Sequence, residues 1–113
     1  MEASEAFELG CKFLDKNDYE NALLAFNEAI RSDAKFAQAY NGRGVTLALK
    51  GMLPQALLDC CEAIRLDPED PEFYRSRGYI YHKMGDLRAA KADLAKAMEL
   101  ESKLSRDSVG NPG

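Results

Sequence analysis

Apolar residues recur along this chain at i, i+3, i+4 and i+7, the spacing that lines one face of an α-helix. The recurrence falls into six blocks separated by short polar breaks. Those breaks carry residues that stop one helix and start the next. Asn17, Gly51 and Gly85 suit left-handed C-terminal caps, and Asp18 and Asp86 suit N-caps. Pro54 fits the first turn of its block, where a missing N–H costs nothing. In LDPEDPEF, residues 66–73, Pro68 reads as a stop, Asp70 as an N-cap and Pro71 as a first-turn residue. The pattern predicts an all-α chain of six helices folded as three antiparallel hairpins.

The blocks also echo one another at a period of 34 residues. Gly10, Gly44 and Gly78 share one register, Ala22, Ala56 and Ala90 a second, and Ala29, Ala63 and Ala97 a third. Phe13, Leu47 and Tyr81 form a large apolar series, as do Tyr19, Leu53 and Leu87. The glycines lie mid-helix, where each costs up to about 1 kcal/mol relative to alanine. A cost repeated in register needs a compensating contact. Small residues on both helices of a hairpin allow close backbone approach, so each glycine is expected to face the alanine at the start of the following helix. The units run over about 3–36, 37–70 and 71–104, with a polar tail, 105–113, expected to be disordered.

Composition narrows the class. A chain that is 46% hydrophobic and 30% charged can fold. Its net charge of −4 argues against nucleic-acid binding, which needs a basic surface. Three cysteines, two of them adjacent at Cys60 and Cys61, give no disulfide framework and fit a reducing compartment. The start, MEASEAFELG, lacks the basic and apolar parts of a signal peptide, and no apolar run approaches the roughly 20 residues of a membrane span. A cytoplasmic protein without a membrane partner is the expectation.

Candidate chemistry is sparse. His82 is the single histidine, which removes histidine triads and multi-histidine metal sites. Adjacent helical residues point about 100° apart, so a Cys60–Cys61 disulfide would be strained, and Cys60 shares its register with Phe26 and Leu94 as a core position. Cys11 lies on the outward register but has no evident cationic neighbour to activate it. DKNDYENALLAF, residues 15–26, begins like a calcium loop but has Glu20 where the loop needs glycine and Phe26 where it needs a bidentate glutamate. Gly42-Arg43-Gly44 falls within a helix and lacks a third glycine, so it is no phosphate cradle. The many carboxylates fall mostly on outward positions, where a solvated face accounts for them. No catalytic, cofactor or metal set emerges, and a non-enzymatic role is expected.

A helix–turn–helix of this period, with glycine, aromatic and alanine positions in one register, resembles the tetratricopeptide repeat family over about residues 3–104. Where that family often has tryptophan this chain has Ala6, Tyr40 and Tyr74, and its helix-ending proline appears only as Pro68. The resemblance implies an α-solenoid, a right-handed superhelix whose concave groove is lined by the first helix of each hairpin. It implies groove positions at Phe7, Glu8, Cys11 and Leu14 in repeat one, and at Gln38, Asn41, Val45 and Leu49 in repeat two. Repeat three would add Arg75, Tyr79, His82 and Lys83. Such a groove suits a peptide or helix of a protein partner. The grading from apolar to cationic implies a ligand with apolar side chains at one end and an acidic or C-terminal carboxylate group at the other. Co-chaperones of this family grip carboxylate tails with Lys, Asn, Asn, Lys and Arg. Those five places here hold Phe7, Cys11, Gly42, Glu72 and Ser76, so a standard clamp is not expected.

A structural role competes with the adaptor role: repeats could stack end to end between chains. Leu23 and Leu57 become Lys91 in the last unit, and Leu24 and Leu58 become Ala92, which fits a more soluble terminal face. Leu87, Leu94 and Met98 keep apolar character there. Both a monomer and a weak two-fold dimer are compatible with that mixture.

Overall fold

The computed structural model describes residues 1–109. Within them the helices are α1 (Ala3–Asp15), α2 (Tyr19–Ser32), α3 (Ala37–Leu49), α4 (Leu53–Leu66), α5 (Pro71–Lys83) and α6 (Leu87–Val109). They pair as three hairpins and stack into a helical-repeat solenoid, as the periodicity predicts.

One backbone device closes all three hairpins. The N–H groups of Asp18, Met52 and Asp86 donate to the carbonyls of Phe13, Leu47 and Tyr81, each at 2.9 Å. That wrap-around bond needs a left-handed residue just before it, and Asn17 (φ 58°), Gly51 (φ 82°) and Gly85 (φ 84°) supply it. Asp18 then caps α2 by accepting from the Asn21 N–H, and Asp86 caps α6 by accepting from the Ala89 N–H. At the corresponding place before α4 stands Met52, which offers no side-chain acceptor; Pro54 in the first turn removes one N–H that would need one. Asp70 accepts from the Glu72 N–H at 2.9 Å and sets the start of α5.

The periodic glycines permit close helix contact, though not identically. A Cβ on Gly44 would sit 3.0 Å from the Ala56 carbonyl oxygen, and one on Gly78 would sit 3.3 Å from that of Ala90. These are the expected alanine partners. At Gly10 the nearest neighbour is a side chain instead: a Cβ there would meet the Phe26 ring at 2.6 Å. Gly42 approaches the same ring from α3, at 2.7 Å. A phenylalanine at this register, in place of Cys60 or Leu94, needs the space of two glycines.

Two bidentate ion pairs lock the second and third hairpins. Arg43 bonds both oxygens of Asp59 at 2.8 Å, and Arg77 bonds those of Asp93 at 2.8 and 2.9 Å. Asp59 and Asp93 are buried, and the pairing raises the pKa of each arginine. Leu9 and Ala25 take these places in the first hairpin. Neighbouring repeats are tied by phenols: Tyr40 donates to the Ala34 carbonyl and Tyr74 to that of Pro68, both at 2.9 Å.

The core is a chain of small clusters rather than one centre. Ala6, Ala29 and Ala39 form one, and Ala37, Ala63 and Phe73 another. Ala48, Ala56, Cys60 and Ile80 pack together further along, followed by Tyr74, Ala97 and Leu100. The tail expected to be disordered over 105–113 is helical as far as Val109. No glycine or proline interrupts the sequence before Gly110, so α6 can continue. The last four residues lie outside the described residues. No described helix is long and apolar enough to cross a membrane.

Candidate functional site

The backbones of the odd-numbered helices approach one another in sequence, α1 with α3 and α3 with α5, whereas among the described residues those of the even-numbered helices do not. The odd helices therefore line the inner side of the curve. Two hollows open on that side. The first, about 240 Å³, is walled by Phe7, Cys11 and Leu14 of α1 and by Gln38, Asn41 and Val45 of α3. The second, also about 240 Å³, lies between Val45, Arg75 and Tyr79. Val45 and Glu72 border both, which makes one continuous groove.

Six of the sequence-derived groove residues thus meet around the first hollow, and Arg75 and Tyr79 meet Val45 at the second. Leu49, His82 and Lys83 are exposed near the C-terminal ends of α3 and α5, beyond either hollow. Glu8 is exposed and borders neither. Residues outside the implied groove positions also border the hollow: the fully buried Phe26 lies behind it from α2, and Asp70, Glu72 and Phe73 come from the start of α5. Phe26 fills the gap above Gly10 and Gly42, a contact visible only once the helices are packed.

The chemistry of the walls follows from their neighbours. The Phe7 ring lies 5.8 Å from that of Phe26 and 5.2 Å from that of Phe36, so the floor is aromatic and supported from behind. Burial, then the nearby Asp15 and Glu8 carboxylates, push the Cys11 thiol up, which keeps it protonated and unreactive. Cys60, deeper in the core, is pushed up to about 12, chiefly by burial. Arg75 does not stand free. It bonds Glu101 at 2.6 Å and Glu72 at 2.8 Å, and these bonds, the first most, raise its pKa. Lys83 lies over the Tyr79 ring, 5.6 Å from its centre.

A family profile described as tetratricopeptide repeat matches residues 7–71, and a second of the same description matches residues 62–92. The chain belongs to the tetratricopeptide repeat family. Similar solved structures include the TPR2B domain of yeast Sti1 in its pHsp70 complex, 27% identical with a TM-score of 0.87 over 94% of this chain and 85% of that one. The second TPR of Spaghetti (RPAP3), bound to the HSP90 peptide SRMEEVD, is 26% identical with a TM-score of 0.82 over 87% and 91% of the two chains. MamA is 25% identical with a TM-score of 0.83, over 93% of this chain and 61% of that one. A search of curated protein sequences gives no significant match.

The register of the repeat adds one observation. Of the five places that form a carboxylate clamp in some family members, Phe7, Cys11, Gly42 and Glu72 all border the first hollow, and Ser76 borders the second. The places converge here as well, with two apolar or thiol side chains, a bare glycine and an acid where cations and amides would serve an acidic tail.

Proposed function

We propose that this repeat domain is a protein-interaction module that receives a peptide or helix of a partner in its concave groove. One observation carries the reading: the family's peptide-binding positions surround an apolar hollow that the protein's own side chains leave open. Structures of similar fold, at 26–27% identity, hold HSP90 or Hsp70 partners, which supports a peptide as the ligand class. The domain acts as an adaptor rather than an enzyme, and it takes no carboxylate tail through the standard clamp. An acidic or carboxylate group at the third repeat would rely on Lys83 and His82, because Arg75 already serves two carboxylates.

Selection from a displayed peptide library tests this, with Val45→Glu as the groove variant and Leu58→Glu, on the exposed side of α4, as the control. Peptides selected on the wild type should lose binding to Val45→Glu and keep it to Leu58→Glu. Equal binding to all three proteins removes the groove reading.

Self-association through the repeat ends has its own support. Leu87, Leu94 and Met98 are 62%, 47% and 69% exposed, although the residues in their registers are covered in the earlier repeats. Sedimentation from micromolar to millimolar concentration decides it: a constant monomer mass excludes this role.

A further inference from the structure

We infer that the groove selects a cationic ligand segment: a bulky apolar side chain seated in the first hollow, with a lysine or arginine beside it facing Asp70 and Glu72. This rests on the groove reading above and adds the sign of the ligand's charge. At about 240 Å³ the hollow is smaller than a typical small-molecule site of about 300–1,000 Å³, and it suits one large side chain. Its floor of Phe7 and Val45 is apolar, backed by the fully buried Phe26 ring, which packs against Gly10 and Gly42. An apolar anchor can therefore enter without rearranging the floor.

The charge at the rim has one sign. Among the described residues no lysine or arginine walls this hollow, and the charged ones that do are Asp70 and Glu72. Each has an oxygen to offer. Asp70 uses Oδ1 for its capping bond, and Arg75 bonds Glu72 at Oε2, leaving Asp70 Oδ2 and Glu72 Oε1. Across the hollow, Cys11 on the α1 wall is pushed up first by burial and then by the Asp15 and Glu8 carboxylates, so the nearby charges that act on it are acidic too. Arg75 cannot reverse that balance, since Glu72 and Glu101 share it. Glu72 also occupies a place where the carboxylate clamp has lysine, so an acidic tail would meet repulsion where it needs attraction. Exposed carboxylates add little raw affinity, but they steer association and set preference between ligands.

The test uses the full chain, isotope-labelled for amide NMR, and three synthetic peptides. Two are blocked at both ends, GSKLFKSG and GSELFESG; the third is SRMEEVD with a free carboxylate. The cationic peptide should shift the amides of Cys11, Asn41 and Val45 and bind roughly fivefold tighter, or more, than its acidic twin. Added salt should narrow that gap. Asp70→Asn combined with Glu72→Gln, in which asparagine still caps α5, should erase it. If the gap survives in that variant, the assignment to these two carboxylates is wrong. Equal binding of the twins, or tighter binding of SRMEEVD at the same amides, overturns the charge preference and leaves the groove reading standing. If no peptide moves those amides up to millimolar concentration, both readings fall.

Discussion

The first and third hairpins follow one backbone plan but treat solvent in opposite ways. The leading face of α1 carries Glu5 and Lys12 at the registers where the later repeats bury Ala39 and Phe73, and Thr46 and Ile80. Among the described residues no helix stacks on that face of α1, and its polar side chains suit exposure. The trailing face of α6 has made only part of the same change, with Lys91 replacing Leu57 while Leu87, Leu94 and Met98 stay apolar and exposed. Identical register therefore does not mean identical energetics. A position is core or surface according to whether another repeat stacks on it, because solenoid stability is a sum of neighbour interfaces.

Exchanging residues between equivalent registers should break this comparison most visibly. Ile80 is fully buried, so Ile80→Lys places an unpaired charge in the α4–α5 interface and should cost about 3–5 kcal/mol. The reciprocal Lys12→Ile should change stability by less than about 0.5 kcal/mol. Denaturant melts followed by circular dichroism measure both. Equal effects would mean that the two faces are not distinct.

The buried ion pairs offer the next contrast. Asp93→Ala leaves the Arg77 guanidinium, 24% exposed, without its partner and should cost about 3 kcal/mol. Arg77→Leu with Asp93→Ala copies the Leu9 and Ala25 of the first hairpin, and should cost only about 1 kcal/mol. A double-mutant cycle measures the coupling. Additive losses would show that the pair contributes nothing as a pair.

The glycines should separate next. Gly10→Ala drives a methyl into the enclosed Phe26 ring, and overpacking of about 1–3 kcal/mol outweighs the helix propensity gained. Gly78→Ala meets its neighbours at 3.3–3.4 Å, so its net effect should stay within about 0.5 kcal/mol of zero. Thermal midpoints rank them, and a larger loss at Gly78 contradicts the packing described.

The smallest effect concerns the trailing face. Leu87→Lys with Met98→Glu should leave the melting midpoint nearly unchanged, since both side chains are mostly exposed. Any concentration-dependent rise in mass seen for the wild type by sedimentation should vanish in the variant. Persistence of that rise would place the association elsewhere.

The 34-residue spacing of glycine, alanine and turn signals was enough to read six helices, three hairpins and the family. These features are local: a cap, a left-handed turn residue or an amphipathic face depends on a few neighbours along one helix. Part of the candidate site came through the family resemblance, which implies groove positions at Phe7, Cys11, Leu14, Gln38, Asn41 and Val45, and these six border the first hollow. Other features arise only when distant segments meet. The Phe26 ring behind the groove floor depends on Gly10 and Gly42 from two different helices. The Arg43–Asp59 and Arg77–Asp93 pairs went unread in the sequence, although both span 16 residues, because their burial and geometry come from helix packing. The neutralisation of Arg75 by Glu101 joins residues 26 apart in sequence and turns an apparent cation of the groove into a satisfied ion pair. Sequence by itself determined the helices and their order, because those follow from short-range spacing and backbone sterics. Tertiary structure decided the shape and charge of the groove, because a hollow and its field are sums over side chains that only packing brings together.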